Sequence, residues 1–391
     1  MTIRTINANQ MRLINRSAIL EYARLNSPTS RTSISTELNL SMPTVMRIVD
    51  DLFDENLIVE SGRAENEMGR KRNLISFNKD AYSVIGIDLG GTKLYGALAN
   101  IGGEILHEVT LEHHDTSGEE SLEIVIDMIS DLMDHGPAQL VVRGIAIGAP
   151  GVTHNQEGIV EWAPSLNWRD FPLKDRLIEK FQPPIFVDND VNLAVLGEHW
   201  FGSGIDVQNM ILIAIGTGVG AGLVIDGALY RGSSHASGEV GYMVPHTKIL
   251  GRPYDVYGPL EEIISGTAIG KRGAVSRKFE STEKITSEFV FNAAFQGETW
   301  AKQVVEETID YLALMIANIN TLLDLDLIVL SGGVAKQSEV LIQGINKRIS
   351  GVIPRIPRIV ESKLGRSATA MGAIVMVVHA TDNYYVVRKL S

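Results

Sequence analysis

Apolar positions recur along this chain with two different periods, and the change falls near residue 80. Over the first eighty residues the spacing is helical. Asn15 to Leu25 sets Ile19, Leu20, Tyr22 and Ala23 at helical intervals, and Ser30–Leu38 reads as a second, short helix. Asn39-Leu40-Ser41 is a tight turn. Ser41 is a good N-cap, and Pro43 falls in the first turn, where its missing N–H costs little. The third helix, roughly Met42 to Asn56, buries Val45, Ile48, Val49, Leu52 and Phe53. Two short strands follow, Leu57–Ser61 and Asn73–Phe77, bracketing Gly62-Arg63 and Gly69-Arg70-Lys71-Arg72. Three helices and a hairpin predict a winged helix-turn-helix over residues 1–80. Its third helix would enter the major groove and its basic tip would meet phosphates or the minor groove. The DNA-facing residues are then Ser41, Thr44 and Arg47 on the helix and Arg63, Arg70, Lys71 and Arg72 on the wing. A small protein-interaction domain shares the same periodicity; the Gly-Arg-Lys-Arg tip favours DNA. The acids that trail the third helix, Asp50, Asp51, Asp54 and Glu55, have to face away from the duplex.

From residue 81 the pattern becomes short apolar runs between long amphipathic stretches. The runs are Val84–Asp88, Tyr95–Asn100, Val141–Ile147, Pro184–Val187, Met210–Ile215, Gly222–Ile225 and Leu327–Leu330. Ser121–Asp134 and Thr299–Leu323 are the clearest helices between them. This alternation predicts an α/β fold. Glycine signatures stand at the strand ends. Asp88-Leu89-Gly90-Gly91-Thr92-Lys93 closes the first strand. Its two glycines let the backbone turn tightly and bring bare N–H groups to an anion, with a carboxylate, a hydroxyl and a lysine beside them. Gly216-Thr217-Gly218, with Gly220, repeats the device in the second half, and Ser331-Gly332-Gly333 follows the last strand. Two α/β lobes with a nucleotide in the cleft account for the duplication. Tight turns without a ligand are the plainer alternative.

Composition narrows the reading. The 391 residues suggest two to three domains. No apolar run approaches the length of a membrane span, and the N-terminus lacks the apolar core of a signal peptide, so a cytoplasmic protein with no membrane partner is expected. With no cysteine, the chain has no disulfide, thiolate nucleophile or cysteine–zinc site. The net charge of −12 is uneven. Residues 1–80 hold 11 Lys/Arg against 10 Asp/Glu, whereas the rest hold 24 against 37. An acidic body repels DNA, so any contact with DNA falls to the head and its basic tip.

The stretches IGIDLGGTK, IAIGAPG, VDNDVNLAVLGE, IAIGTGVGAGLVIDG, SGEVGYM, GPLEEIISG and IVLSGGV resemble the ROK family, the bacterial sugar kinases and sugar-responsive repressors of the actin-like ATPase superfamily. The likeness covers nearly all of residues 10–380. It includes the head, which looks like that of the regulator branch typified by the xylose, N-acetylglucosamine and glucose-pathway repressors. The resemblance implies an actin-like (ribonuclease H-like) body over residues 81–391. One lobe would span about 81–190 and the other about 191–365, with a C-terminal helix returning to the first.

It also implies roles. Asp190 becomes the base that would activate a sugar hydroxyl, and Asn189 a sugar contact, although both residue types are equally good caps for the following helix. Glu239 and Glu261 match two sugar-holding carboxylates, which suit vicinal diols by accepting paired hydroxyl hydrogen bonds. Asp88, Gly90, Gly91, Thr92 and Lys93 match the first phosphate loop; Gly216, Thr217 and Gly218 match the second; Gly332 and Gly333 match the adenosine-side turn. ATP and Mg²⁺ are the cofactors these motifs admit. Two departures fall on the sugar wall. The histidine that usually follows Glu-x-Gly, a sugar contact and zinc ligand, is Tyr242, and the three zinc-binding cysteine positions are Arg252, Tyr254 and Pro259. No zinc is therefore expected, and Thr247–Tyr257 must be ordered by packing, as of Tyr254 and Tyr257, or stay mobile. The usual sugar-contacting asparagine is Ser165, with Asn167 placed to compensate.

The expectation is a sugar-responsive regulator, a repressor by default. It would act as a homodimer or homotetramer on a two-fold symmetric DNA operator, with a sugar or sugar phosphate as ligand. An ATP-dependent kinase of hexoses or N-acetylhexosamines, alone or combined with regulation, is the alternative. A pure scaffold wastes the polar groups placed in the cleft.

Overall fold

The structure, a computed structural model, describes residues 7–65, 71–90, 93–112, 118–251, 253, 258–277 and 285–382. Arg70, Gly91, Thr92, Arg252, Tyr254 and Tyr257 lie outside the described residues, as do the side chains of Arg63, Lys71 and Arg72.

The head opens with α1 (Ala8–Leu25), which starts earlier than the apolar period suggests. A capping box starts it: Gln10 N donates to Asn7 Oδ1 at 2.8 Å, and Asn7 N donates to Gln10 Oε1 at 3.0 Å. The first turns carry exposed residues such as Met11, so periodicity is silent there. A two-residue strand, β1 (Thr29–Ser30), precedes α2 (Arg31–Glu37) and α3 (Met42–Asp54). Ser41 caps α3, sharing a 2.8 Å hydrogen bond with the Thr44 hydroxyl. Strands β2 (Ile58–Glu65) and β3 (Lys71–Phe77) pair antiparallel, and β1 joins β3. Phe53, expected in the core, is only half-buried. Three of the four acids at the end of α3 are paired with arginines of α1 and α2. Arg12 meets Asp51 at 2.7 Å, Arg31 meets Asp50 at 3.0 Å, and Arg16 pairs with Glu55.

The first lobe runs through β4 (Ser83–Leu89), β5 (Lys93–Asn100), β6 (Ile105–Glu112), α4 (Gly118–Asp134) and β7 (Val142–Ala149). A small sheet, β8 (Val152–His154), β9 (Ile159–Ala163) and β10 (Trp168–Phe171), is followed by α5 (Leu173–Ile178) and β11 (Ile185–Asn189). The second lobe runs through α6 (Asp190–Phe201), β12 (Met210–Ile215), β13 (Val219–Ile225), β14 (Ala228–Tyr230), α7 (Glu261–Ile264), α8 (Gly266–Arg277), α9 (Ser287–Phe295) and α10 (Thr299–Leu323). It continues with β15 (Leu327–Ser331), α11 (Ser338–Ile349) and β16 (Arg358–Glu361), and the chain's last described helix is α12 (Ala368–Thr381).

The two central sheets have orders β11-β7-β4-β5-β6 and β16-β15-β12-β13-β14. Each is an antiparallel meander with two parallel strands added beside its first strand. The duplication read from the glycine signatures is thus a duplication of topology.

Helices α6 and α12 lie between the lobes. α12 rests on the first sheet, where a Cβ on Gly86 would stand 2.3 Å from the Ala370 carbonyl oxygen. α6 rests on the second, where a Cβ on Gly222 would stand 2.5 Å from the Val191 oxygen. Where the two helices cross, a Cβ on Gly197 would reach 2.2 Å from Ala368 O, and one on Gly372 1.7 Å from Leu193 O.

The far ends of both helices carry the head. Arg16 of α1, 7% exposed, donates to the Asp382 carbonyl at 2.5 Å, and the Tyr82 hydroxyl donates to Asp382 Oδ2 at 2.5 Å. The Arg24 guanidinium sits 4.6 Å above the Trp200 ring. Core residues of the head share one apolar cluster with Tyr82, Val84, Trp200 and Val378. Among the described residues, no helix is long and apolar enough to cross a membrane.

Candidate functional site

Strands β4, β7 and β11 run parallel and end together, with Asp88 opposite Gly148 and Gly148 opposite Asp188. Ligands of open α/β sheets bind beyond such carboxyl ends. Gly148 is small for a reason: its Cβ would stand 2.4 Å from Thr369 Cγ2 and 3.0 Å from Asp190 Cα. Its absence lets Asp190 and Thr369 close over the strand ends. From the second lobe come the Gly216–Gly218 turn, in which Gly216 N donates to Gly218 O at 2.9 Å, and the carboxylates Glu239 and Glu261. Glu261 Oε2 accepts from Val219 N at 2.8 Å and would stand 2.9 Å from a Cβ on Gly218. This carboxylate therefore abuts the glycine turn.

A pocket between the lobes is lined by Gly151, Asn189, Asn192, His235, Gly238 and Glu239, among others. Asn189 does what the plainer reading asks of it. Its Oδ1 caps α6, accepting from Val191 N at 2.9 Å and Asn192 N at 3.1 Å, while its Nδ2 donates to Gly151 O at 3.0 Å. Asp190 Oδ1 accepts from the same Val191 N–H at 2.9 Å. Ser165, Asn167 and Tyr242 are exposed and do not belong to that lining.

Arg231 and His235 of the site carried no signal in the sequence, whereas Asn192 stands in the VDNDVNLAVLGE stretch. Arg231, after β14, reaches across the cleft to buried Asp188 with contacts of 2.6 and 3.1 Å, joining the lobes. Asn192 donates to Asp188 at 3.1 Å, but its buried Oδ1 has no partner. His235 is held at φ +58°, and its buried Nδ1 also has no partner. Two orphaned buried atoms in one pocket are what a hydroxyl-bearing ligand would satisfy. A lone Arg or His in a loop has no spacing to betray it.

Four carboxyls form an electrostatic row. Burial, reinforced by Asp190, pushes Asp88 up to about 8, against the hydrogen bond from Thr369. Burial, with Glu239 adding, pushes Asp190 up to about 7, although the Val191 N–H opposes it. Glu239 is raised by burial and then by Glu261, and Glu261 by burial and then by Glu262. Asp88 and Asp190 are nevertheless not fully closed off from solvent.

The sign of the Asp88 shift fixes a stability prediction. A raised carboxyl holds its proton in the folded state, so its stabilising contribution is full below the ordinary carboxylate value and is lost as pH rises through about 8. Asp88→Asn keeps the shape and removes the titration. The variant should outlast the wild type by about 1–3 kcal/mol at pH 8.5 and by little at pH 5. Melting curves across that range check this; an equal margin at both ends would show that Asp88 holds no proton.

The glycine turns also have a functional look. Hypothetical Cβ atoms on Gly216 and Gly333 meet nothing within 4 Å, and neither residue needs a positive φ. Packing does not demand glycine there, whereas bare backbone facing a phosphate does. Gly332, by contrast, is required by its φ of +91° and by Ile215, whose oxygen a Cβ would meet at 2.5 Å. Lys93 is exposed and lies 2.8 Å from Glu112 across the β5–β6 pair.

This architecture has counterparts among known proteins. The chain is 29% identical to a xylose repressor from Caldicellulosiruptor bescii, over 95% of this chain and 97% of that one. It is 32% identical to a glucokinase from Halalkalibacterium halodurans, over 73% of this chain and 90% of the kinase. A solved ROK family transcriptional regulator, a homologue of the E. coli MLC protein, superposes with a TM-score of 0.80 at 27% identity, covering 96% of this chain and 98% of that one. The family model itself matches residues 84–380, spanning both duplicated lobes and every carboxylate of the cleft row: the chain belongs to the ROK family.

Proposed function

We propose that this protein is a sugar-responsive transcriptional repressor in which a sugar bound between the lobes sets the affinity of the head for DNA. One observation carries the reading: the head is docked on the far ends of α6 and α12, whose near ends lie at the cleft carboxyls. A ligand that draws the lobes together moves both helices, and with them the head. The winged helix-turn-helix would present Ser41, Thr44 and exposed Arg47 to the major groove, with the basic tip of its wing on phosphates or the minor groove. Because Asp50, Asp51 and Glu55 are occupied by Arg31, Arg12 and Arg16, the acids at the end of α3 oppose this contact less than their number suggests. A homodimer or homotetramer on a two-fold operator is the assembly that pairs such heads.

The relatives named as xylose repressors make D-xylose the first ligand to test, with D-glucose beside it. Mobility-shift titrations with DNA from the protein's own promoter region should show binding that either sugar weakens. Arg47→Ala should lose tenfold or more of the affinity. No binding to such DNA, with or without any sugar, would sink the proposal.

The intact glycine turns and the poised Asp190 favour sugar phosphorylation as a second reading. Asp88 and Asp190 are oxygen donors of the kind a magnesium ion takes, and Gly216 and Gly333 offer bare backbone to phosphates. Bound Mg-ATP would supply the phosphoryl group, while Asp190 would take the hydroxyl proton. ADP release dependent on D-glucose or D-xylose, and lost in Asp190→Asn, would establish it.

A further inference from the structure

Three side chains converge on the outer edge of the first lobe, where none of the chemistry above takes place. His107 stands on β6, the edge strand at the opposite end of the sheet from β11. Asp131 and His135 are one turn apart at the end of α4. His107 Nε2 lies 3.1 Å from Asp131 Oδ2, and His135 Nδ1 lies 3.3 Å from Asp131 Oδ1. One potential ligand atom from each residue falls within 4.8 Å of the other two. The imidazole rings stack, with centroids 4.5 Å apart and planes 22° from parallel.

The strand register dictates this meeting. His107 is the direct partner of Leu98 on β5, so the two side chains share a face of the sheet. Leu98 is fully buried, and a Cβ on Gly136, just beyond α4, would stand 3.2 Å from it. The end of α4 therefore lies over the face from which His107 projects. Met128, Ile129 and Leu132 anchor the same helix in the core, so the frame beneath the three side chains is stiff.

Two surface ion pairs, helped by a histidine near a helix C-terminus, are the plain reading of such a cluster. The geometry goes beyond it in two respects. Ligand atoms held about 2.0–2.2 Å from one tetrahedral ion stand roughly 3–3.5 Å apart, which the His107–Asp131 spacing already meets. His135 Nδ1 is also 2.8 Å from the Asp131 carbonyl oxygen, which holds the ring beside the carboxylate, and its 3.3 Å to Asp131 Oδ1 falls in the same range. Two imidazoles and one carboxylate select a borderline-soft ion over Mg²⁺ or Ca²⁺.

We propose that His107, Asp131 and His135 form a site for a divalent zinc-class ion, completed by water, that clamps the end of α4 to the edge strand β6. The partial exposure of all three side chains leaves solvent in the coordination shell, so the expected affinity is micromolar.

The test is calorimetric titration of tag-free, chelator-stripped full-length protein with zinc chloride at pH 7.5. One equivalent should bind with a Kd of micromolar order. His107→Ala and His135→Ala should each weaken it at least tenfold, whereas His246→Ala, on another part of the chain, should not. Circular dichroism verifies that the variants fold, as expected for partly exposed side chains. With cobalt chloride, the wild type should gain a visible ligand-field band that His107→Ala lacks. The proposal is overturned if the wild type takes up no stoichiometric zinc below millimolar concentration, or if the double variant His107→Ala/His135→Ala binds it as the wild type does.

Discussion

Gly372→Ala, the smallest change available at that position, should lower the melting temperature by roughly 10 °C or leave the protein insoluble. Elsewhere in a helix the same substitution gains stability, by roughly 0.5–1 kcal/mol. At Gly372 the sign reverses. The added Cβ would stand 1.7 Å from the Leu193 carbonyl oxygen, 2.5 Å from its carbon and 3.0 Å from Gly197 N. All three are backbone atoms, so no side-chain rotation relieves the overlap. Helices α6 and α12 have to part, and because each is seated on its own sheet through glycines, the lobes part with them. Overpacking of this kind costs about 3 kcal/mol or more, and for a chain of this size each kcal/mol moves the midpoint by roughly 2–4 °C. Thermal melting of the variant beside the wild type decides it. An unchanged midpoint would mean that the helices cross at a greater distance than the backbone shows.

That crossing also marks the limit of what the sequence discloses. The glycines at strand ends announce themselves, because Gly216 and Gly332 follow apolar runs and stand among small polar residues. Gly197 and Gly372 sit inside helices with no such context, and the atoms that require them belong to a segment far away in the chain. The same division runs through the cleft. Asp88, Asp190, Glu239 and Glu261 stand in recognisable motifs, whereas Arg231, His235 and Thr369 act only because folding carries them to the other lobe's residues. Among the strands, β6, like the short β8–β10, β14 and β16, is silent in the sequence: it is an edge whose side chains are half-buried or exposed, without an apolar run. The start of α1 was legible as a capping box at Asn7 and Gln10, but the apolar period begins later and drew the boundary inward.

Arg16→Ala should separate DNA binding from the response to sugar. Arg16 is buried at the seam, donating to the Asp382 carbonyl and pairing with Glu55, the residue that caps the end of α3. It thus ties the recognition helix to the residue that ends α12. Asp382 is raised by burial, with Tyr82 and then Arg16 opposing, so the arginine also offsets the cost of a carboxyl at this joint. Breaking a buried ion pair typically costs 3–5 kcal/mol; with Glu55 half exposed, about 1–3 kcal/mol is the fitting range here. That falls on the docking of the head, because the core of the head and the lobes both remain intact. A coupling between sites cannot exceed the free energy of the contacts that carry it, and couplings of this kind are usually 1–3 kcal/mol, or 5–150-fold. The ratio of operator affinities without and with D-xylose should therefore collapse toward one in Arg16→Ala, while sugar binding itself is retained. Arg47→Ala should do the reverse, weakening operator binding and leaving the ratio intact. Paired operator titrations on the two variants measure both quantities. A full sugar response in Arg16→Ala would route the signal away from Asp382, leaving the Arg24–Trp200 contact at the end of α6 as the connection between cleft and head.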